Sequence, residues 1–239
     1  MWVAGRRAVL EAIRAGRVAE VLLGDWVRTV PSFGEIREAA EQRQVRLRVV
    51  PWVTLDDIDP NHRGVAARIA RARELSERTL SGWEFGPADV VVVLDGITDP
   101  QNLGAAARAA EAAGAAMLVT RVRRAAGVTS SAVRASAGAL LHLPVARVTN
   151  ISRTLGRLKD AGFTVVGLNG SASKTIYQQR CPEGRVALVI GSEAEGMSRL
   201  VRETCDLLVA LPMHGNVESL NASAALAAAL YGYVLPSRA

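Results

Sequence analysis

Three short polar clusters punctuate the apolar second half of the chain, and each carries residue types that can hold or activate a ligand. The first is Asn102-Leu-Gly-Ala-Ala-Ala-Arg108, on a stretch otherwise built of small residues. Asn102 is of the type that caps a helix start. Glu111 lies three positions beyond Arg108, within reach of an ion pair on a helix. An arginine among so few polar neighbours calls for an anionic partner; the plain alternative is a surface ion pair. The third cluster, Ser219-Leu-Asn-Ala-Ser223, opens an Ala- and Leu-rich run that ends at Tyr231. Ser219 or Asn221 can cap that helix, and backbone and hydroxyl groups at its mouth can hold a ligand. The plain alternative is a capped core helix.

The second cluster, Gly191-Ser-Glu-Ala-Glu-Gly196, follows the apolar run Val186–Ile190. It lacks the glycine spacing of a dinucleotide fingerprint, and no phosphate-binding Lys follows it. Its two glutamates would repel phosphate. A neutral or cationic ligand suits them better, and S-adenosylmethionine, a sulfonium without phosphate, meets that description. A strand-to-helix turn capped by Ser192 is the plain alternative.

The clusters need a frame to bring them together. Over 89–239, apolar runs at Val90–Leu94, Ala116–Thr120, Leu143–Val148, Thr164–Leu168, Arg185–Ile190 and Asp206–Leu211 read as strands buried on both faces of a parallel sheet. Helices are expected between them at Asn102–Ala113, Ser130–Ala137, Ile151–Ala161, Met197–Thr204 and Leu220–Tyr231, the last buried all round because it has no polar face. Such sheets bind ligands beyond the carboxyl ends of their strands, where loops 95–102, 169–171, 191–196 and 212–219 fall. Residues 1–71 read as a separate small α/β unit of order α-β-α-β-α-β, with Arg6, Arg7, Arg14 and Arg63 available to phosphates or to solvent. Residues 72–88 read as a linker. Its first part is charged and helix-compatible, and Trp83 and Phe85 are expected to dock on a neighbouring domain or subunit.

Composition agrees with a folded intracellular protein. Apolar residues are 49%, enough for a sizeable core, while aromatics at 4% argue against recognition resting mainly on stacking platforms. The net charge is +6 and Arg far outnumbers Lys, which makes a polyanionic partner plausible. Cys181 and Cys205 form no disulfide framework or zinc spacing, and three scattered His make a metal site unexpected. No apolar run precedes a small-residue cleavage site, and Ala222–Leu235 is short for a membrane span. A soluble, cytoplasmic protein with no membrane or metal partner is expected.

Taken in order, Asn102…Arg108, Val189-Ile-Gly-Ser-Glu-Ala-Glu-Gly196 and Leu211-Pro-Met213…Ser219-Leu-Asn-Ala-Ser223 resemble the three motifs of the SpoU (TrmH-like) RNA ribose 2′-O-methyltransferases of the SPOUT superfamily. Val3-Ala-Gly-Arg-Arg-Ala-Val-Leu10 and His62-Arg-Gly-Val65 resemble signatures of that family's N-terminal substrate-binding domain, itself similar to ribosomal protein L30e and L7Ae, although family members usually carry Gln at Arg63. The two-domain match is nearest the 23S rRNA guanosine 2′-O-methyltransferase branch. The resemblance implies an α/β trefoil knot in the catalytic domain and a homodimer with its active site near the interface. It implies S-adenosylmethionine as cofactor, held by Leu168, Asn169, Gly191, Leu211, Met213 and Leu220. It implies Arg108, Asn102, Glu193, Ser219 and Asn221 as the catalytic group, and Arg6, Arg7 and Arg63 as RNA contacts. Methylation of tRNA, a non-catalytic RNA-binding assembly factor and a dinucleotide enzyme are the competing readings, the last disfavoured by the missing glycine fingerprint.

Overall fold

The computed structural model describes residues 1–27, 30–69, 74–217 and 219–238. The first unit is a four-stranded mixed sheet. It comprises β1 (Trp2–Ala4), α1 (Arg6–Arg14), β2 (Val18–Gly24), α2 (Gly34–Gln42), β3 (Arg46–Val50), α3 (Trp52–Asp56) and β4 (Val65–Ile69), in strand order β1-β4-β2-β3. The expected α-β-α-β-α-β order is present, with one strand more. Strand β1 pairs antiparallel to β4, Trp2 opposite Arg68; three residues are too few to show a period. The end of the last expected strand, Ala70, lies outside the described residues.

The segment expected as a linker is partly sheet. Residues 72 and 73 lie outside the described residues, but β5 (Glu74–Ser76) pairs in parallel with β8 (Val145–Val148), and α4 (Glu77–Ser81) follows, capped by Ser76. Leu75 and Leu80 are the buried apolar residues among those described there, so the segment's composition looks like a connection while its backbone closes a sheet edge. Trp83 and Phe85 pack against the large sheet's core, Phe85 edge-on to Phe163 with ring centroids 4.8 Å apart. The Arg185 guanidinium donates to the carbonyls of Phe85, Gly86 and Ala161 and pins that segment down.

The second unit is a seven-stranded parallel sheet of order β11-β9-β10-β6-β7-β8-β5. Its further strands are β6 (Val90–Asp95), β7 (Met117–Arg121), β9 (Phe163–Leu168), β10 (Arg185–Gly191) and β11 (Leu207–Val209); its helices are α5 (Pro100–Ala112), α6 (Ser130–Ala135), α7 (Ile151–Asp160), α8 (Arg199–Thr204) and α9 (Ala222–Ala229). The uninterrupted valines of β6 are buried on both faces. Val90, Val92 and Leu94 join a core with α5, α6 and α9, whereas Val91 and Val93 join one with α7 and α8. The first of these cores runs on without a break into Val9, Ile13 and Leu23 of the N-terminal unit. The two units are also tied by the ion pair of Arg134 with Asp59 and by Glu11 with His142 at 3.5 Å.

Two helix expectations need correction. Helix α5 begins at Pro100 and is capped by Asp99, whose carboxylate accepts from the Gln101 N–H; Asn102 is in its first turn, not at its cap. Helix α9 is not buried all round. Leu226 and Ala229 are inside, followed by Leu230, Tyr233 and Val234 in a wider π turn, but Ala224, Ala228 and Tyr231 face solvent. Among the described residues no further layer covers that side.

Close helix packing supplies the first test. A Cβ on Gly104 would stand 2.5 Å from the Ala135 Cβ and 2.6 Å from the Ala132 carbonyl oxygen, so α5 and α6 touch at backbone distance. Gly104→Ala should cost about 1–3 kcal/mol through overpacking and lower the Tm. An unchanged Tm in thermal denaturation would show that the two helices do not meet this closely.

Candidate active site

The carboxyl ends of β6, β9, β10 and β11 deliver four loops to one edge of the sheet. There the three polar clusters meet. One oxygen of Glu193, Oε1, accepts from Asn102 Nδ2 at 2.8 Å, from Asn221 Nδ2 at 2.7 Å and from the Ala222 N–H at 3.3 Å. Asn221 Nδ2 also donates to Asn102 Oδ1 at 2.9 Å. The opposite end of the Asn221 amide caps α9, its Oδ1 accepting from the N–H groups of Ser223 and Ala224 and from Ser223 Oγ. Asn221 therefore does two jobs that an aspartate could not: it stops a helix with its oxygen and donates across to Glu193 with its nitrogen.

The loop bearing Glu193 is set by close backbone approach. A Cβ on Gly191 would lie 1.9 Å from the Gly196 carbonyl carbon and 2.1 Å from the Met197 nitrogen. The turn closes through Ser192 and Gly196, which exchange backbone hydrogen bonds, and Ser192 Oγ accepts from Glu195. Ser192 thus shapes a loop and does not cap a helix, since α8 starts only at Arg199.

Beside this network is a cavity of about 210 Å³. Leu168, Asn169, Gly191, Leu211, Met213 and Leu220 all line it, with Glu193 and Ser219. Every residue expected to hold a cofactor is in that wall. Ser219 reaches the cavity but not the Asn102–Glu193–Asn221 cluster. No Lys or Arg is among the lining residues, so the wall has nothing to neutralise a phosphate.

Arg108 is elsewhere. It is exposed, and it lines a second, larger cleft of about 1140 Å³ between the two units, together with Arg6, Arg7, Arg63 and Arg134. The two cavities share no lining residue. Among the described residues Arg108 makes no hydrogen bond or ion pair, and the expected pair with Glu111 is not formed. The three N-terminal arginines expected to contact RNA are in the cleft, whereas Arg14 is bound to Glu11 at 2.8 Å.

Asp95 was not singled out by the sequence. It is 3% exposed at the end of β6, accepts from the Ser198 N–H at 2.8 Å and pairs with Arg121 at 2.7 Å. It ties the far end of the Glu193 loop to the sheet. The available signal was a carboxylate closing an unbroken apolar strand, since a buried Asp needs donors.

Comparison with known proteins agrees with this geometry. Residues 89–231 match the SpoU rRNA Methylase family, and residues 2–75 match the RNA 2′-O ribose methyltransferase substrate binding domain. The chain is 39% identical over 236 residues to the 23S rRNA (guanosine-2′-O-)-methyltransferase RlmB of Xanthomonas axonopodis pv. citri, covering 96% of this chain and 94% of that one. It is also 39% identical to the TrmH family protein YacO of Bacillus subtilis, covering 96% and 93%. The crystal structure of the SpoU methyltransferase AviRb from Streptomyces viridochromogenes, in complex with AdoMet, superposes with a TM-score of 0.78 at 26% identity, covering 99% of this chain and 90% of that one. The chain belongs to the SpoU methyltransferase family of RNA-modifying enzymes.

Proposed function

We propose that the chain transfers a methyl group from S-adenosylmethionine to a ribose 2′-hydroxyl of RNA, with a guanosine of 23S rRNA as its substrate. The observation that carries the reading is the convergence of three motif loops on a cavity with no cationic side chain among its described lining residues, on a molecule that places Arg7, Arg63 and Arg108 together in a separate cleft. The 23S assignment is supported by the Xanthomonas relative, similar over nearly its whole length.

The cavity fits the cofactor. The close contact at Gly191 leaves main chain where a side chain would stand, and Leu168, Leu211 and Leu220 offer apolar surface beside the backbone groups of Asn169 and Met213. When bound, S-adenosylmethionine supplies a methyl group already activated by its sulfonium. The protein's part is to hold, orient and exclude water. Glu193, Asn102 and Asn221 lock the loops in register, and Ser219 adds a hydroxyl to the wall. Arg108 acts from the cleft. A guanidinium is a poor proton acceptor and does not serve as a base, so its role is to bind the phosphate next to the target ribose and stabilise the oxyanion that develops there.

The assembly we propose is a homodimer through the solvent-facing side of α9. Ala224, Ala228 and Tyr231 leave apolar surface uncovered there, Tyr231 being 52% exposed. The Asn221 cap at the start of the same helix would place the catalytic cluster beside the interface. The trefoil knot belongs to this reading as well. The long β9–β10 connection bonds to the chain on both sides of the 211–221 loop: Ile176 N–H donates to the Ala210 carbonyl, and Tyr233 Oη donates to the Arg180 carbonyl.

Three outcomes test the reading. Arg108→Ala should lower methyl transfer to rRNA by at least ~100-fold and leave the S-adenosylmethionine Kd within a few-fold by calorimetry; near-normal turnover would remove Arg108 from the chemistry. Gly191→Ala should do the reverse, weakening cofactor binding more than tenfold with the circular dichroism unchanged, and unaltered affinity would mean that the cofactor is held elsewhere. Ala228→Arg should shift the light-scattering mass from dimer to monomer without unfolding, because Ala228, unlike Leu226, is outside the core. A wild-type chain that is monomeric and fully active would refute the dimer. Mapping 2′-O-methyl sites in rRNA and tRNA, with and without the gene, decides the substrate.

A further inference from the structure

The cleft between the two units carries an aromatic feature that phosphate binding does not need. Trp26 is 58% exposed on the cleft wall. Its inner side is supported by Trp52, ring centroids 5.0 Å apart and tilted by 38°. Trp52 in turn meets the His62 ring edge-on at 4.0 Å. His62 is fully buried and fixed at both nitrogens: the Gly64 N–H donates to Nδ1 at 2.9 Å, so Nε2 carries the proton toward Asp56 at 3.1 Å. Three rings thus run from a locked, buried member to an exposed one. Exposing a large indole to water is unfavourable by itself, and here the surrounding structure stiffens it instead of folding it inward.

The charge beside it is placed with similar deliberation. Arg63 stands between His62 and Gly64 with φ 50°, a left-handed conformation uncommon for arginine. It is exposed and, among the described residues, makes no hydrogen bond or ion pair. The turn therefore holds a free guanidinium in the same cleft as the indole face, with Arg7 and Arg108, also unpartnered, on the same lining. At about 1140 Å³ the cleft is larger than a single drug-sized ligand fills.

We propose that Trp26 is a stacking platform for an unpaired base of the RNA substrate, with Arg7 and Arg63 holding the flanking phosphates. A supported indole with one open face, beside free guanidinium groups, matches the chemistry of single-stranded nucleic acid: a π-face for the base and cations for the backbone. A duplex offers the phosphates but keeps its bases stacked inside, so it gains nothing from the indole. The proposal rests on the reading that RNA enters this cleft, and it adds that an unpaired nucleotide is recognised there, away from the cofactor cavity.

The test uses the full chain and a randomised 20-nucleotide RNA, alone and annealed to its complement, in filter binding across a salt series. Trp26→Ala should weaken single-strand binding by about 5- to 100-fold, change duplex binding less than twofold, and keep the slope of log K against log salt. Trp26→Phe should restore most of the affinity. Arg63→Ala should instead weaken both RNAs and reduce the slope by about one. Circular dichroism guards against unfolding, and because Trp26 is exposed the alanine variant should fold. Equal single-strand affinity for Trp26→Ala and wild type, with Arg63→Ala still impaired, would overturn the stacking platform while leaving RNA binding in the cleft intact. Wild-type protein that binds neither RNA would overturn both, so the two failures are distinguishable.

Discussion

A single carboxylate oxygen, Glu193 Oε1, gathers two segments that lie 91 and 28 residues from it along the chain. The bonds are solvent-facing, and their net contribution to stability is modest, about 1.5–3 kcal/mol at most for each bond to a charged group. Their value is positional. Asn102 is fixed relative to β6, Glu193 relative to β10 and Asn221 relative to α9, so the cavity wall takes its shape from the frame beneath it. That frame depends on Gly191, whose missing side chain lets the 192–198 turn fold back on the end of β10. Asp95 then anchors the turn's far end through Ser198.

The two cavities differ in charge. Among the described residues the smaller one is lined mainly by apolar and small side chains, with the Glu193 carboxylate and no cation. The larger one holds five arginines, and only some of them are occupied: Arg134 by Asp59, Arg6 by the Ser32 carbonyl at 2.5 Å and the Phe33 ring. Chemically the cleft suits a phosphate-rich ligand, and the cavity has nothing that would repel a sulfonium. The net charge of +6 would be compatible with diffuse solubility; five of the arginines behind it line the cleft where the two units meet.

Much of this was legible in the sequence, for identifiable reasons. Unbroken runs such as Val90–Leu94 announce strands buried on both faces, and Asn221 announces a cap. Glu193 and Asn221 were brought together by motif order and not by periodicity. What was hidden falls into two kinds. Strands β1 and β5 are three residues long, and Leu75 alone marks β5 as buried. The remainder depends on tertiary direction: a helix without a polar face can still leave Ala224 and Ala228 uncovered, and Arg108 can point into a cleft away from the network that Asn102 joins. The 4% aromatic content is likewise a whole-chain average, and it conceals that Trp26, Trp52 and His62 are assembled in one place.

Helix α5 is the physical link between the two cavities. Asn102 in its first turn belongs to the network beside the smaller cavity, and Arg108 six residues later lines the cleft. Six residues of α-helix advance about 9 Å and turn by about 240°, so the two side chains leave the axis in different directions from different levels. Gly104 lies between them and lets α5 press against α6 at backbone distance. A helix clamped in this way cannot roll to bring one end closer without disturbing the other. The spacing between Asn102 in the loop network and Arg108 in the cleft is thus set by backbone geometry, and it does not depend on how the arginine side chain settles in solvent.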